Sequence, residues 1–590
     1  MRSTSEAAAT DGPEHVGRLG AAFWNWLVPG FVAVVFPGYV LLTNHLIPFA
    51  NNFHCDPWHY FGFFFLADNL QVFRPSSRML SRIPEIWIGN FATKIAPGIA
   101  ADYVNFLILY VGSILALYFT ALRFFGRFPA LIVAVFFAFN ALVIGDLSVT
   151  YTGPSILYNS VAIWLAAEAQ RSAASRRTIA LVLMGAVLAF SVCGHLYGIL
   201  CAFAIPLYAL RPPGRALTRS LSLQIAEIAV KTAAGIVGGI ILIALVNRFL
   251  LGGQLIFFTQ QLELVGKIKL ERYQIAGWFF QACRGAVYLL MILLPAIQLV
   301  ALAYRRRLDA FDWRVLLANA VPLVVGVALF FDDRLGGFFL QYDYYYVLVL
   351  PHIAISLAAL FGRAPLSMAA LGGVVAAYLI VSALAILPDI EQIEAAFLSP
   401  DNAAFSLGIV ILACAAAGFA SLSRGSRRVA VSLSVTLLLI GCLGFAVRPQ
   451  RMGRLVWQEG HRADIEYGAN NYKRIREAMS FLASHRLPSA PVFWVSIDDG
   501  YWETIALPRS YDNCIVEMHL PTLETAAVDF TAGRYMVLAD PNEALVAQAN
   551  AVFADRHLRF AELARKKIEG GDTRYFVVIG RLMASDDQRP

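Results

Sequence analysis

Apolar stretches of about 20 residues recur along the first three quarters of this chain. Each is long enough to cross the hydrocarbon core of a bilayer, which is roughly 30 Å thick. Hydrophobic residues make up 58% of the chain and charged residues only 15%, unlike the balance of an ordinary soluble domain. The sequence therefore predicts a polytopic α-helical membrane protein.

These stretches divide into about thirteen predicted spans. Their approximate bounds are 23–44, 100–121, 128–147, 154–170, 178–195, 197–210, 227–249, 281–303, 314–331, 345–362, 366–387, 404–422 and 429–447. After the last span the sequence becomes charged and alternating, and it contains no further run of spanning length. We therefore predict an N-terminal tail (1–22), a transmembrane module (23–447) with one long loop (45–99), and a C-terminal α/β domain (448–590).

Basic residues in alternate connecting segments indicate how the spans are oriented, because Lys and Arg remain on the cytoplasmic side. This set comprises Arg123, Arg127, Arg171, Arg176, Arg177, Arg211, Arg215, Arg219, Arg305, Arg306, Arg307, Arg363, Arg424, Arg427 and Arg428. It predicts a cytoplasmic N-terminal tail, with loop 45–99 and the C-terminal domain outside. The formal charge of +7 follows from this bias and requires no nucleic-acid partner.

The C-terminal region shows two periodicities. The segments 491–498, 534–540 and 574–582 predict strands, whereas 473–485 and 542–566 predict helices. Their alternation predicts a sheet covered by helices. We find no separate catalytic set in this region.

Most of the polar groups that could carry chemistry fall on the predicted outer side. A charge at the edge of a bilayer is costly unless it is paired or used, so such residues are functional candidates. Cations can hold a lipid phosphate, and a carboxylate can take a proton from a nucleophile. Structural roles are the alternatives: a solvated Asp56, a helix-end Asp146, a packing His195, and an aromatic belt that includes Tyr345.

Loop 45–99 contains two short motifs. DPWHYFG runs from Asp56 to Gly62, and SRIP runs from Ser81 to Pro84. The segment 81–95 around the second motif has an amphipathic pattern, which predicts a short helix lying along the membrane surface.

The loop and the layout of spans resemble the GT-C glycosyltransferases, and in particular the protein O-mannosyltransferases and the lipid A aminoarabinose transferase. Members carry an Asp after the first span, followed closely by an aromatic residue, and an Arg-x-Pro element later in the same loop. Two positions depart from the pattern. Members often have a second acidic residue where this chain has Pro57, and an Arg-Tyr pair where this chain has Asp343 and Tyr345.

The resemblance implies transfer of a sugar from a polyprenyl-phosphate donor to a hydroxyl acceptor, which is a lipid, a glycan or a protein. It implies an inverting displacement on the outer face, with Asp56 as the base and Asp146 as the second acidic position. The cations implied for the donor phosphate are Lys267, Lys269, Arg272, Arg82, Arg78 and Arg334. The remaining substrate-binding candidates are His59, Tyr60, Tyr158, His195, Asp343 and Tyr345.

Asp56 and Asp146 are also candidate ligands for Mg²⁺ or Mn²⁺, although two oxygen-ligating residues are fewer than such ions require. Cys55 and Cys514 both face the predicted oxidising side, where a disulfide can form. The other five cysteines fall in or beside spans, where buried inert thiols are expected. A bacterial inner membrane is the expected location.

Two other classes of function remain open. A transporter or flippase of lipid-linked glycans would also have many spans, but such proteins usually show paired halves and charges near the membrane midplane. A non-catalytic envelope scaffold would use the outer domain for binding. Replacement of Asp56 distinguishes these classes, because only the enzyme needs its carboxylate.

Overall fold

The structure of the protein is a computed structural model. It describes residues 23–43, 82–96, 100–138, 152–196, 198–212, 217–249, 308–334, 347–362, 493–496, 516–519, 530–540, 543–570 and 573–585, together with single residues and short pieces such as Phe64 and parts of 291–303. The boundaries predicted near residues 22 and 448 lie outside these segments and remain predictions.

The N-terminal part of the chain is helical. Its helices are α1 (Val28–Thr43), which follows a π-helical turn at Phe23–Leu27, α2 (Ile83–Ile95), α3 (Ala100–Phe125), α4 (Arg127–Ala138), α5 (Gly153–Arg171), α6 (Ala174–Gly194), α7 (Gly198–Ala204), α8 (Leu217–Phe249), α9 (Ala310–Arg334) and α10 (Leu350–Phe361). A 3₁₀ turn at Ile205–Ala209 continues α7, and another at Val347–Val349 precedes α10.

Four helices in the described part of the chain are long and apolar enough to cross a membrane. They are Ala100–Phe125, Ala174–Gly194, Leu221–Phe249 and Ala310–Leu329. This length and composition are those of an integral membrane protein. Shorter apolar helices include Gly198–Ala209 and Val347–Phe361.

The predicted spans that fall on described residues are confirmed as helices. The span predicted at 128–147 is helical to Ala138, and beyond it only Val143 and Leu147 are described before residue 152. The span at 281–303 is described only in pieces, and those at 366–387, 404–422 and 429–447 lie outside the described residues. The total of about thirteen spans therefore remains a prediction.

Glycine allows the closest approaches between these helices. Gly126, with φ of 97°, reverses the chain between α3 and α4 within a single residue, a conformation that L side chains adopt at a cost. Gly185 and Gly235 lie where α6 crosses α8, and a Cβ atom on either would collide with the main chain of the other helix. Small residues let membrane helices pack backbone to backbone in this way.

The C-terminal part contains a five-stranded sheet of order β2-β1-β3-β5-β4. The strands are β1 (Phe493–Ser496), β2 (Val516–His519), β3 (Tyr535–Asp540), β4 (Leu558–Gly570) and β5 (Thr573–Ala584). Strand β1 is parallel to β2 and β3, whereas β5 is antiparallel to β3 and β4. Helix α11 (Leu545–Ala554) packs on one face through apolar contacts that include Phe553 and Leu538. The sheet and helix confirm an α/β arrangement.

One C-terminal prediction is wrong. The helix predicted over 542–566 ends at Ala554, and residues 558–570 form strand β4 instead. The Ala, Glu, Arg and Lys residues of this segment favour a helix locally, but β4 pairs along its length with β5 and buries Leu558 and Phe560. The three predicted strands are confirmed, whereas β2 was not predicted.

Candidate functional site

Polar residues lie at both ends of the packed helices α3, α5 and α6. Helices α3 and α5 run in the same direction, because Arg123 and Glu168 form an ion pair at their C-terminal ends (Nε to Oε1, 2.8 Å) and Gly112 packs on Leu157 further back. We call the end with Arg123, Arg171, Arg177 and Arg211 the arginine end. The opposite end, with Arg82, Glu85, Tyr158 and His195, is called the histidine end.

Helix α2 contributes its first turn to the histidine end. The hydroxyl of Tyr158 donates a hydrogen bond of 2.8 Å to the main-chain oxygen of Pro84. The side chain of Phe190 makes edge-on contacts with the rings of both Trp87 and Tyr158. Because Ile83, Pro84, Glu85 and Ile86 are buried, α2 enters the helical bundle at its first turn instead of lying wholly on a membrane surface. The predicted helix is confirmed, with Pro at its start.

Glu85 occupies the centre of this cluster. It is only 1% exposed, and it lies close enough to Tyr158 for the two side chains to interact electrostatically. A Cβ atom placed on Gly194 would lie 3.3 Å from Cγ and 3.4 Å from Oε1 of Glu85, and 3.5 Å from Oγ of Ser155. The absence of a side chain at residue 194 therefore leaves room for the carboxylate between α2, α5 and the end of α6.

His195 lies where α6 ends. Its backbone is extended (φ −141°, ψ 119°), and its N–H donates a hydrogen bond of 2.9 Å to the main-chain oxygen of Ser191. The imidazole is 3% exposed and is close enough to Arg82 for their charges to interact. The hydroxyl of Ser191 donates a 2.8 Å bond to Oδ1 of Asn159. The break in α6 thus brings an imidazole, a guanidinium and a carboxylate to one place.

Several buried polar atoms near this end have no hydrogen-bond partner among the residues that the structure describes. They are both carboxylate oxygens of Asp102, Oδ1 of Asn105 and Nδ2 of Asn159. Asp102 is 1% exposed and Asn105 2% exposed, both in the first two turns of α3. Buried polar groups are nearly always paired, so groups of this kind indicate a place where something else binds.

The arginine end is bonded differently, because its guanidinium groups donate to main-chain oxygens where helices end. Arg171 donates to Arg123, Arg177 to Ala169 and Ala209, Arg211 to Gln170 and Ser172, and Arg314 to Phe124. Carbonyl groups in the last turn of a helix lack partners within the helix, and these bonds satisfy them.

Carboxylates complete the arginine end. Glu227 accepts hydrogen bonds from Arg177 at 3.3 Å and from Lys231 at 2.7 Å. Burial, and secondarily the charge of Arg177, hold the pKa of the Arg211 guanidinium below its ordinary value, while Glu227 acts in the opposite direction. These contacts join α5, α6, α8 and the 3₁₀ turn after α7, which is a structural role.

The structure brings three of the predicted site residues together: Arg82, Tyr158 and His195. For Arg334 it describes only a position at the end of α9. The other predicted site residues lie outside the described part of the chain: Asp56, His59, Tyr60, Arg78, Asp146, Lys267, Lys269, Arg272, Asp343 and Tyr345. Their roles remain predictions, as does a disulfide between Cys55 and Cys514. The buried, unbridged Cys193 and Cys201 agree with inert thiols.

Sequence reasoning did not select Glu85, Asp102, Asn105, Ser155, Asn159 or Ser191 as site residues. A signal was present for Asp102 and Asn105, because an acid and an amide three residues apart interrupt an apolar run on one side of a spanning helix. Within the described residues no group of three His, Cys, Asp or Glu side chains is placed to hold a metal ion. The proposed ligands Asp56 and Asp146 lie outside those residues.

Neither a family model nor a curated protein matches the sequence. Solved structures of an oligosaccharyltransferase from Archaeoglobus fulgidus overlap most of the chain. The apo form is 13% identical with a TM-score of 0.38, and the overlap covers 92% of this chain and 70% of the other. The form tethered to an acceptor peptide with an NVT sequon is 13% identical with a TM-score of 0.36. The overlap again covers 92% of this chain and 70% of the other.

A third structure is the enzyme in complex with an inhibitory peptide and a dolichol-phosphate. It is 13% identical with a TM-score of 0.37, over 96% of this chain and 75% of the other. Overlap at this level does not establish a shared substrate or mechanism, and the proposal below rests on the residues of this chain.

Proposed function

We propose that the protein is a membrane glycosyltransferase that moves a sugar from a polyprenyl-phosphate donor to a hydroxyl acceptor at the histidine end. The acceptor is a lipid, a glycan or a protein. We further propose that this end faces outward from a bacterial inner membrane, because the arginine end carries the basic residues that remain cytoplasmic. The protein would then meet its donor within the bilayer and its acceptor outside.

One observation carries this proposal: Arg82, which is half-buried, lies beside the buried Glu85, Tyr158 and His195 where α2, α5 and α6 meet. Desolvating a carboxylate and an imidazole is expensive, and an apolar set would hold these helices together at lower cost. A site of mixed charge within a membrane is instead suited to a ligand that carries a phosphate and hydroxyl groups.

Each part of the reaction has a candidate residue. Arg82 would hold the donor phosphate, since a guanidinium can make two parallel hydrogen bonds to phosphate oxygens. Tyr158 and His195 would contact the substrate at the base of the site. Lys267, Lys269, Arg272, Arg78 and Arg334 are proposed as further phosphate contacts, and His59, Tyr60, Asp343 and Tyr345 as further substrate contacts.

The proposed chemistry is a single inverting displacement. Asp56 takes the proton of the acceptor hydroxyl as that oxygen bonds to the anomeric carbon. The bond from this carbon to the phosphate oxygen breaks on the opposite side, and the polyprenyl phosphate leaves with the electron pair. Cations around the phosphate stabilise the charge that develops on it. A divalent ion held by Asp56 and Asp146 would serve the same purpose.

The lipids of a deletion strain test this proposal. We expect a polyprenyl-phosphate sugar to accumulate and one cell-envelope acceptor to lack a sugar, both measured by mass spectrometry. Wild-type protein should restore the product, whereas Asp56→Asn should insert normally and fail to restore it. Glu168→Gln at the arginine end serves as the matched control, because its ion pair with Arg123 is partly exposed and remote from the site.

The outcomes separate the three classes. Full restoration by Asp56→Asn would contradict an enzyme and favour a scaffold. Accumulation confined to the cytoplasmic leaflet would indicate a transporter of the lipid-linked sugar. A deletion strain with unchanged polyprenyl-phosphate lipids would reject both the donor and the proposed reaction.

A further inference from the structure

The first two turns of α3 contain a pair of buried polar residues that no part of the proposed reaction uses. Asp102 and Asn105 are 1% and 2% exposed. In the part of the chain that the structure describes, neither carboxylate oxygen of Asp102 has a hydrogen-bond partner, and Oδ1 of Asn105 has none. The pair therefore presents three buried acceptor atoms.

The helix geometry places this pair on the approach to the histidine end. Residues three apart lie one above the other on a helix, so Asp102 and Asn105 share one side of α3. Gly112 lies two turns beyond Asn105 on that side, and a Cβ atom on Gly112 would be 2.7 Å from Cδ1 of Leu157 in α5. Asn105 therefore lies on the side of α3 that faces α5, about 10 Å further towards the histidine end than Gly112.

An acid in the same position of another helix shows how such a residue is normally accommodated. Asp312 lies in the first turn of α9 and is 2% exposed. Its Oδ2 accepts a hydrogen bond of 3.2 Å from the main-chain N–H of Asp309, and its own N–H donates one of 2.7 Å to Oδ1 of Asp309. This reciprocal pairing caps α9. Asp102 accepts no such hydrogen bond from any residue that the structure describes, so capping by those residues does not explain its burial.

From this difference we infer that Asp102 and Asn105 form a subsite that binds hydroxyl groups of a carbohydrate. The inference rests on the proposed function and extends it to recognition of the sugar. Adjacent hydroxyls of a sugar supply several donors at once, which is what a carboxylate beside an amide oxygen requires. The sugar comes either from the lipid-linked donor or from a glycan acceptor, and the chemistry of recognition is the same.

A cation is a weaker candidate for this subsite. Hard divalent cations take six or more oxygen ligands. The pair supplies three oxygen atoms, and within the described residues no group of three His, Cys, Asp or Glu side chains is placed to hold a metal ion. Hydroxyl groups are neutral and do not need the additional ligands that a cation requires.

Thermal unfolding of the full chain in lipid nanodiscs tests the inference, with wild type, Asp102→Asn and Asp312→Asn compared. Without ligand, we expect Asp102→Asn to raise the apparent Tm by about 2 °C, because it removes an unpaired buried carboxylate. Asp312→Asn should lower the apparent Tm, because it weakens a cap. The probes are bare polyprenyl phosphate, a panel of polyprenyl-phosphate hexoses and pentoses, and the corresponding methyl glycosides.

Wild type and Asp312→Asn should gain more stability from at least one sugar-bearing probe than from bare polyprenyl phosphate or from buffer. Asp102→Asn should lose this increment and keep the effect of bare polyprenyl phosphate. An increment from a sugar lipid identifies the donor sugar as the ligand, and one from a methyl glycoside alone identifies the acceptor.

Three results would each overturn the inference. The first is a lower Tm for ligand-free Asp102→Asn than for wild type. The others are a sugar-dependent gain in stability that Asp102→Asn keeps in full, and the absence of such a gain in wild type. Failure of the proposed function is a different result. In that case bare polyprenyl phosphate stabilises none of the variants and no transfer is detected, whatever the effect of Asp102→Asn on the Tm.

Discussion

The two ends of the α3–α5–α6 bundle differ in how their polar residues are paired, although Nη2 of Arg177 at the arginine end also lacks a hydrogen-bond partner among the described residues. At the arginine end, Arg171, Arg177 and Arg211 donate to main-chain oxygens where helices end. At the histidine end, Asp102 and Asn159 retain buried atoms without hydrogen-bond partners among the described residues. Folding alone explains the first arrangement and leaves the second unexplained.

This difference indicates where function resides. Polar groups that complete helix ends stabilise the fold, and their number says little about activity. Polar groups that are buried at a cost and left unpaired are retained for another reason, and binding a ligand is the simplest one. Variants at the two ends should therefore separate stability from activity.

The largest expected effect is on stability at the arginine end. The side chain of Arg177 is 3% exposed and bonds Glu227 and the main-chain oxygens of Ala169 and Ala209. Arg177→Met should cost about 3 kcal/mol, because it leaves buried acceptors unpaired. Thermal unfolding in nanodiscs measures the loss. The KM for donor should be unchanged in the protein that remains folded.

Arg176→Met is the matched control for this variant, because Arg176 is the neighbouring residue and is exposed. It should leave the unfolding temperature nearly unchanged. Equal destabilisation by the two variants would show that the contacts of Arg177 do not stabilise the bundle.

The second-largest expected effect is on donor binding at the histidine end. Arg82→Ala should raise the KM for a polyprenyl-phosphate donor by about 10-fold to 100-fold, because hydrogen bonds to a charged group are worth roughly 1.5–3 kcal/mol. Arg82→Lys should reverse only part of this rise in KM, since an ammonium group lacks the planar fork of a guanidinium. Steady-state transfer kinetics measure the change.

Arg171→Ala is the comparison at the opposite end, where the guanidinium bonds a main-chain oxygen of α3. Its KM for donor should equal that of wild type. A similar rise in KM for both variants would contradict a phosphate site confined to the histidine end.

The smallest effect concerns the space beside Glu85. Gly194→Ala places a methyl group 3.3 Å from Cγ of Glu85, closer than an ordinary contact. We expect about a fivefold loss in kcat/KM, corresponding to about 1 kcal/mol, with the protein still folded. Transfer assays and thermal unfolding check the two parts of this prediction.

Gly238→Ala provides the control, because a Cβ atom on Gly238 would meet nothing within 4 Å. It should keep full activity, and its stability should not fall. If Gly194→Ala is equally active, the position of Glu85 does not matter for transfer.

Hydropathy predicted the helices well, because a bilayer requires long apolar segments whatever their neighbours are. It also drew attention to Tyr158 and His195, since polar residues near the ends of spans are unusual. Glu85 was not selected, because its burial depends on α2 entering the bundle beside Gly194, a tertiary contact. Asp102 could have been selected, but its burial and its lack of a hydrogen-bond partner among the described residues are visible only in the structure.

In the C-terminal domain, by contrast, local sequence patterns gave a wrong prediction for one segment. Residues 558–570 have a composition that favours a helix, yet they pair with β5 as a strand. Strand pairing is decided by a partner elsewhere in the sequence, whereas helix propensity is local. Local patterns therefore identified β1, β3 and β5 but assigned the wrong structure to β4.

The central claim is that a lipid-linked phosphate binds at the histidine end and not at the arginine end. A polyprenyl phosphate with a photoreactive group near its phosphate tests this directly, with the labelled peptides mapped by mass spectrometry. We expect label within residues 82–96, 152–159 or 191–198, reduced by excess polyprenyl phosphate and by Arg82→Ala. Label concentrated in residues 123–127, 168–177 or 209–212, and unaffected by Arg82→Ala, would contradict the claim.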